Sequence, residues 1–243
     1  MVELREYTGQ KLWFHNVLIN ILEYVATILE DNDFPYWLYA GTLLGAVRNG
    51  KMIPWDPDID IGVFSRDAED IINKFSELEI NQDIVTDNRF SIGVDRGEEG
   101  ARIIRIFCSE HTDLMTEEQK VWVTKSKPET WSSYYNLFGI HVDLITWDIN
   151  VKEKQACTVC SGIRWPLFIV SEFDKILFEG KVYSCPRLPE TACILTYNDK
   201  NCITDIHSYP TDDSWIKILD PDNSDILKEM EYYKHEYTVS TTV

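Results

Sequence analysis

A chain of 243 residues is long enough for one sizeable core, and its 44% hydrophobic and 12% aromatic content is that of a globular protein. Forty-one acidic side chains against 23 basic ones give a formal charge of −18, which repels nucleic acid and anionic membranes over most of the surface and argues against them as partners. Small phosphorylated ligands remain open, because a divalent cation reverses the local sign of the potential.

The opening stretch MVELREYTGQ carries acids and no apolar segment, so it does not read as a secretory signal. No later stretch reaches the roughly 18 uncharged residues of a membrane span. The chain therefore reads as cytoplasmic and without a transmembrane segment, or as lumenal or secreted should a signal or anchor precede it. From Gln10 to Glu30 the residues Leu12, Trp13, Val17, Leu18, Ile21, Leu22, Val25 and Leu29 recur at three-or-four spacing, which predicts an amphipathic helix. DNDFP ends it, YWLYA reads as a short buried strand, and Thr42 is placed to cap a short helix, LLGAVRN, closed by Asn49-Gly50. In DIDIGVF acid alternates with apolar: a strand here turns Asp58 and Asp60 to one side and Ile59, Ile61 and Val63 to the core.

A helix is predicted over Ala68 to Leu78, then strands at RFSIGVD, RIIRIFC, KVWVT and GIHVDLITW. Between Asp148 and Ile163 the pattern weakens and reads as a loop carrying Cys157-x-x-Cys160. KILFEGKVYSCP reads as a hairpin turning at Glu179-Gly180, PETACILTYND as a short helix, DNSDILKEMEYYKHEY as a polar terminal helix with Ser224 as its cap, and TVSTTV as a loose tail. Six cysteines are too sparse to build the fold from disulfides. For Cys157 and Cys160, with Cys185 and Cys193, three states stay open: structural Zn²⁺, disulfides, or free thiols.

An isolated D-x-D pair is more often a solvated sheet face than a site. Here AGTLLGAVRNG precedes the pair by about 15 residues, and a helix start there supplies unpaired N–H groups and a dipole for phosphate. A phosphate cradle beside hard carboxylates points to a nucleotide held through Mg²⁺ or Mn²⁺. Asp143, between Val142 and Leu144, is the best third carboxylate, and Asp56 a fourth. Arg48, Arg102 and Arg105 are candidates for phosphate oxygens, with a surface ion pair the competing reading for the last two. The aromatics of PYWLY and WSSYYNLF read mostly as core, and His141 and His207 are given no catalytic duty.

The run YAGTLLGAVRNGKMIPWDPDIDIGV resembles the signature of the LicD family, which includes bacterial phosphocholine transferases and the animal fukutin group. HVDLITW and ILFEGKVYSCP resemble its later blocks. The resemblance implies an α+β fold: a nucleotidyltransferase-like mixed β-sheet flanked by helices, with irregular C-terminal insertions. The similarity runs from about Trp37 to Asp67, with weaker support out to about Pro189, and implies one catalytic domain over 1–243, with a core of about 10–190 and an accessory segment over 190–243. It implies a Mg²⁺- or Mn²⁺-dependent transferase moving phosphocholine, or ribitol or glycerol phosphate, from a CDP-linked donor such as CDP-choline to a sugar hydroxyl of a carbohydrate acceptor. Carried over residue by residue, Gly41 and Thr42 match the phosphate-binding turn and Arg48 the arginine after the short helix. Asp58 and Asp60 match the paired metal carboxylates, Asp56 the additional acid and Asp143 the third strand carboxylate, which is also the base. Asn49 and Pro57 depart from the pattern, and CILTYNDKNCITD lacks the family's usual glycine-tryptophan ending. Transfer of NMP and a non-catalytic glycan-binding role are the competing readings.

Overall fold

The computed structural model describes residues 10–53, 56, 58–80, 90–97, 100–108 and 141–203. The predicted KVWVT strand, the WSSYYNLF aromatics, His207, the terminal helix with Ser224 and the tail lie outside these residues. The elements are α1 (Gln10–Asp31), β1 (Tyr36–Leu38), α2 (Ala40–Asn49), β2 (Ile59–Phe64), a 3₁₀ turn (Ser65–Asp67), α3 (Ala68–Ile80), β3 (Phe90–Gly97), β4 (Gly100–Cys108) and β5 (His141–Asn150). They continue with β6 (Gln155–Thr158), β7 (Arg164–Pro166), a second 3₁₀ turn (Leu167–Ile169), β8 (Phe173–Phe178), β9 (Lys181–Pro186) and α4 (Pro189–Tyr197).

The main sheet runs β1-β2-β5-β4-β3, with β6 pairing β5 and β7 pairing β6; β8 and β9 form a separate hairpin. Among the described residues only the β2–β5 pair is parallel. The alternation in β2 works as its sequence demands. Ile59, Ile61 and Val63, and opposite them Val142, Leu144 and Thr146 of β5, turn to one face and are fully buried. α1 packs on β4 and β5 and α3 on β3 and β4, and α1 contributes Leu18, Ile21, Leu22, Val25 and Leu29 to the core. Among the described residues no helix is long and apolar enough to cross a membrane.

Two sequence expectations are corrected. The stretch from Asp148 to Ile163 is not wholly loop: β6 pairs Asn150, Ile149, Asp148 and Trp147 of β5, and β7 adds a further edge. QACT has no apolar alternation, so its strand state comes from the free edge of β5 beyond the end of β4 and leaves no local trace. Thr42 does not cap α2. The helix starts at Ala40 with Tyr39 as its N-cap residue, and the Thr42 hydroxyl accepts the Asp60 N–H at 2.9 Å, tying helix start to strand start.

The opposite face of the sheet carries the aspartates at one end and a group of aromatic rings at the other. Trp37 of β1 lies across Gly62 of β2, its register partner, and stacks on Phe173 at 5.3 Å between centroids. Trp147 meets the Trp37 ring edge-on at 5.9 Å and Tyr39 at 5.2 Å, and Trp165 packs on Trp147 at 4.4 Å. A Cβ at residue 62 would stand 2.2 Å from the Trp37 ring, which is why glycine occupies the middle of this strand.

The segment leading to Asp56 is held by its own glycines and by a distant hairpin. Gly50 closes α2 in the left-handed conformation, φ 66°, with its N–H on the Ala46 carbonyl. A Cβ on Gly45 would lie 2.4 Å from the Lys51 carbonyl oxygen, so only glycine lets the chain fold back over the helix. The β8–β9 turn, with Glu179 at φ 48° and Gly180 at φ 81°, reaches this loop. The Glu179 N–H donates to the Gly50 carbonyl at 2.8 Å, and the Glu179 carboxylate accepts from the Met52 N–H at 2.7 Å and from Lys51 Nζ at 3.1 Å.

Candidate functional site

Asp60 of β2 and Asp143 of β5 are direct partners in the parallel pair, and Arg105 of β4 is the antiparallel partner of Asp143. Partners at one register share a face, so the three side chains form a row across three adjoining strands, with backbones about 4.8 Å apart. Asp58, two residues before Asp60, joins the same side. Asp56 is almost wholly enclosed, at 1% exposure, and its N–H donates to the Ile53 carbonyl at 2.9 Å. The first turn of α2, with Gly41 and Thr42 buried, begins where Asp60 does: the Tyr39 N–H donates to the Asp60 carbonyl at 3.0 Å. Between them Ala40 holds φ 46°, a strained conformation for a residue with a side chain.

Electrostatics mark the cluster as one unit. Burial raises the Asp58 carboxyl above its usual range, opposed by a hydrogen bond with Asp56 and by the Arg105 charge. Two carboxyls can share a hydrogen bond only if one keeps its proton. Asp60 is pushed well up, first by burial and then by the charges of Asp58, Asp143 and Asp56. Asp143 is pushed up to about 7, by burial above all, with Arg105 pulling it down and Asp58 and Asp95 pushing it up. Arg105 Nε stands 3.1 Å from Asp143 Oδ1 and His141 Nε2 3.4 Å from it, yet that buried oxygen accepts no hydrogen bond of good geometry.

A buried carboxylate oxygen without a donor, in a cluster that raises its own pKa values, fits a cation. The residues that could hold one are Asp58, Asp60 and Asp143, with Asp56 behind them. Among the described residues no three acidic, histidine or cysteine side chains converge on one point where an ion could sit.

The remaining predicted site residues fall in different places. Arg102 pairs with Asp95 at 2.9 Å, the ion pair weighed as its alternative, while still lying in electrostatic reach of Cys160. Arg48 is in the last turn of α2, about 12 Å of helix from the cradle, and its Nε donates to the Cys202 carbonyl at 2.9 Å. Cys157, Cys160, Cys185, Cys193 and Cys202 form no disulfide among the described residues, and the two cysteines of the C-x-x-C differ in setting: Cys157 lies in β6, while Cys160 follows it and feels the charges of Asp60 and Arg102.

Four groups within ion-pair or electrostatic reach of the acids were given no role beside them by sequence reasoning. His141 was legible, since strand parity puts it on the side of Asp143. Tyr39 was half legible, as the residue that leads into the cradle; its phenol is raised by burial and then by the charge of Asp60. Cys160 and Tyr197 come from far along the chain and left no local signal. A groove of about 780 Å³ lined by Phe64, Arg66, Asp148, Asn150, Gln155 and Arg164 lies at the other end of β2 and β5, four residues or about 13 Å of strand from Asp60, and includes none of the four site aspartates.

The Asp143 shift has a thermodynamic consequence. The unfolded chain loses this proton near 3.8 and the folded chain near 7, so in between the folded state binds more protons and stability falls as pH rises. The loss is of the order of a few kcal/mol, or roughly 5–10 °C in a chain of this size. Melting curves of metal-free protein at pH 5 and pH 8 are expected to show the drop, and Asp143→Asn to flatten it. Equal slopes in both proteins would remove Asp143 as its source.

Residues 33–188, well over half of the chain, match the family described as LicD/FKTN/FKRP, nucleotidyltransferase domain. The chain is similar to human ribitol-5-phosphate transferase FKTN, 33% identical over 168 residues, which is 66% of this chain and 34% of that protein. It is 50% identical over 45 residues to human ribitol 5-phosphate transferase FKRP, covering 18% of this chain and 9% of that protein. It is 47% identical over 45 residues to the lipopolysaccharide cholinephosphotransferase LicD of Haemophilus influenzae, covering 18% and 17%. The matches thus span between 9% and 34% of the length of these relatives. A crystal structure of ANT(2″)-Ia in complex with adenylyl-2″-tobramycin aligns over 89% of this chain and 98% of that one at 11% identity, with a TM-score of 0.44. By the extent of the match over 33–188, which takes in the cradle and all four aspartates, this chain belongs to the LicD/FKTN/FKRP family.

Proposed function

We propose that this chain is a transferase that moves a phospho-alcohol from a CDP-linked donor to a sugar hydroxyl of a glycan, releasing CMP. The observation that carries the reading is the row of Asp60, Asp143 and Arg105 across three strands at the foot of α2. A Mg²⁺ or Mn²⁺ ion held by Asp58, Asp60 and Asp143, with Asp56 in support, would offset the charge of the diphosphate and of the departing CMP. The N–H groups of the α2 first turn, at Gly41 and Thr42, bind phosphate oxygens, and Arg105, in one row with Asp60 and Asp143, adds a guanidinium. Asp143, the register partner of Asp60, takes the proton from the attacking hydroxyl. Because Arg48 is engaged with Cys202, phosphate binding falls to the helix start and Arg105.

The relatives' names support a phospho-alcohol as the cargo. The longest of the matches reported above is to a ribitol-5-phosphate transferase, which sets ribitol phosphate beside phosphocholine at the head of the candidates, with glycerol phosphate after them. CDP-ribitol, CDP-choline, CDP-glycerol and CDP-ethanolamine with Mg²⁺ are expected to separate by CMP release, and the true donor to raise the melting temperature even without acceptor. The family's description as a nucleotidyltransferase domain favours one second reading, transfer of NMP. Pyrophosphate released from CTP would establish that reading, and inertness toward both donor classes would leave a binding role.

A further inference from the structure

Strand β4 carries one residue too many for its neighbour. Its pairing with β3 runs regularly from Phe90↔Cys108 to Asp95↔Ile103 and then steps to Arg96↔Ala101, so Arg102 is the extra residue of a β-bulge. In a regular strand Arg102 would turn, like Ile104 and Ile106, to the face under the helices. The bulge turns it over. Its Nη2 donates to both oxygens of Asp95, at 2.9 and 3.2 Å, and Asp95 shares the face of Arg105 because Gly93, two residues before it, pairs with Arg105. The buried Thr146 hydroxyl, 2.8 Å from the Ala101 carbonyl and 3.0 Å from that of Arg102, holds the backbone just beyond the last β4–β5 pair, Ile103↔Ile145. Gly97 leaves room for the arginine stem, since a Cβ there would lie 2.9 Å from Arg102 Cδ.

Sheet order fixes what this pair faces. The order β2-β5-β4-β3 puts Asp60 and the α2 start on one side of Asp143, and Arg105 followed by Asp95 and Arg102 on the other. With the donor's phosphates at the α2 start and the proton passing to Asp143, CMP leaves toward β2 and an in-line hydroxyl arrives from β4. The pair stands on that incoming side, two residues or about 7 Å of strand from the row of Asp143 and Arg105, a span that one sugar ring with its hydroxyls covers. This part of the face is open: Ile104 and Ile106 are fully buried on the helix side, whereas Ile103 is only partly buried and the Arg102 and Asp95 side chains are 40% and 35% exposed.

The chemistry of the pair suits an uncharged polyol, not a phosphate. Guanidinium and carboxylate cancel in charge, and an anion beside them would have to lie against Asp95. One Nη serves Asp95, while Nε is buried with no hydrogen-bond partner among the described residues. Donors and acceptors side by side complement neighbouring hydroxyls, each of which both gives and takes a hydrogen bond. We propose that Asp95 and Arg102 contact the acceptor, holding two vicinal hydroxyls of its sugar beside the hydroxyl that attacks. The inference rests on the transferase reading for the direction of attack, and the bulge is the device that brings an arginine to the acceptor side.

The test is saturation-transfer NMR of the whole chain with the methyl β-glycosides of galactose, glucose and xylose, against the fully O-methylated glucoside as control. Thermal stabilisation by CMP with Mg²⁺ is measured beside it. The wild type is expected to pass saturation to at least one glycoside and not to the control. Arg102→Met and Asp95→Asn are each expected to weaken that glycoside about tenfold, the scale of one lost hydrogen bond to a charged group, with melting temperatures within about 3 °C and the CMP midpoint in place. Undiminished signals in both variants overturn the proposal, and so does a wild type that binds none of the glycosides. A raised CMP midpoint in Arg102→Met with the glycoside signal intact also overturns it, because the arginine is then a phosphate contact. Should a single variant melt far lower, Asp95→Leu combined with Arg102→Met, which leaves no unpaired charge, decides by the same signals. If CMP does not stabilise the wild type and no CDP donor releases CMP, the transferase reading fails by itself. The glycoside signals then decide the pair alone: their loss in the variants upholds sugar binding and their persistence overturns it.

Discussion

Asparagine at position 60 is expected to cut turnover by at least about 10³-fold while raising the melting temperature of the metal-free protein. Both effects come from one cause. Asp60 lies among Asp58, Asp143 and Asp56, and burial plus three like charges push its carboxyl far above the usual range. An amide keeps the shape, removes the charge that a cation needs, and relieves the repulsion the folded state otherwise carries. The backbone is unaffected, because the Asp60 N–H and carbonyl, not its side chain, make the bonds to Thr42 and Tyr39. Steady-state CMP release together with melting curves tests this. Retained activity would remove Asp60 from the chemistry, and a lower melting temperature would show that the repulsion is already relieved in the native protein. Asp143→Asn is expected to behave alike in activity but to gain less stability, since it leaves the Arg105 charge without its 3.1 Å partner in a largely buried position.

The second large effect is on folding. Gly62→Ala is expected to cost about 3 kcal/mol or more, enough to lower the melting temperature by roughly 6–12 °C. The new methyl would stand 2.2 Å from Trp37 Cε2 and 2.4 Å from its Nε1. Trp37 cannot yield, because it is fully buried, stacked on Phe173 at 5.3 Å and flanked by Phe64 at 5.1 Å and Trp147 at 5.9 Å. Strand β2 would have to shift, and Asp60 two residues away would shift with it. Urea unfolding of Gly62→Ala, alone and with Trp37→Phe, separates this clash from a general dislike of change in the strand. The smaller ring should recover part of the loss, whereas a double variant no better than the sum of its parts would show that the clash is not the cause.

Much of this site could be read from one stretch of sequence because its physics is local. The alternation of DIDIGVF dictates which residues face the core whatever strand lies beside it, and Asn49-Gly50 closes a helix through the backbone freedom of a single residue. Pairings across the sheet had no such signal. Arg102 and Arg105 looked alike, three apart on one strand, but strand order puts Arg105 opposite Asp143 while Arg102 meets Asp95. Arg48 looked like a phosphate ligand beside a helix, and its partner lies 154 positions away. β6 was missed because an unoccupied stretch of β5 makes QACT a strand, and Tyr197 because nothing in a nine-residue helix says where its last side chain lands. Local periodicity is visible in a window of a dozen residues, and contacts closed by topology are not.

The hook that Glu179 makes on Gly50 and Met52 has a practical meaning for trimming this protein. A fragment stopped near residue 170 would still contain every aspartate named here, yet it would lack the tip of the β8–β9 hairpin that fixes the stretch leading to Asp56. Such a piece is expected to bind cations weakly and turn over nothing, and adding back residues as far as the β9 strand should restore more than any substitution within it.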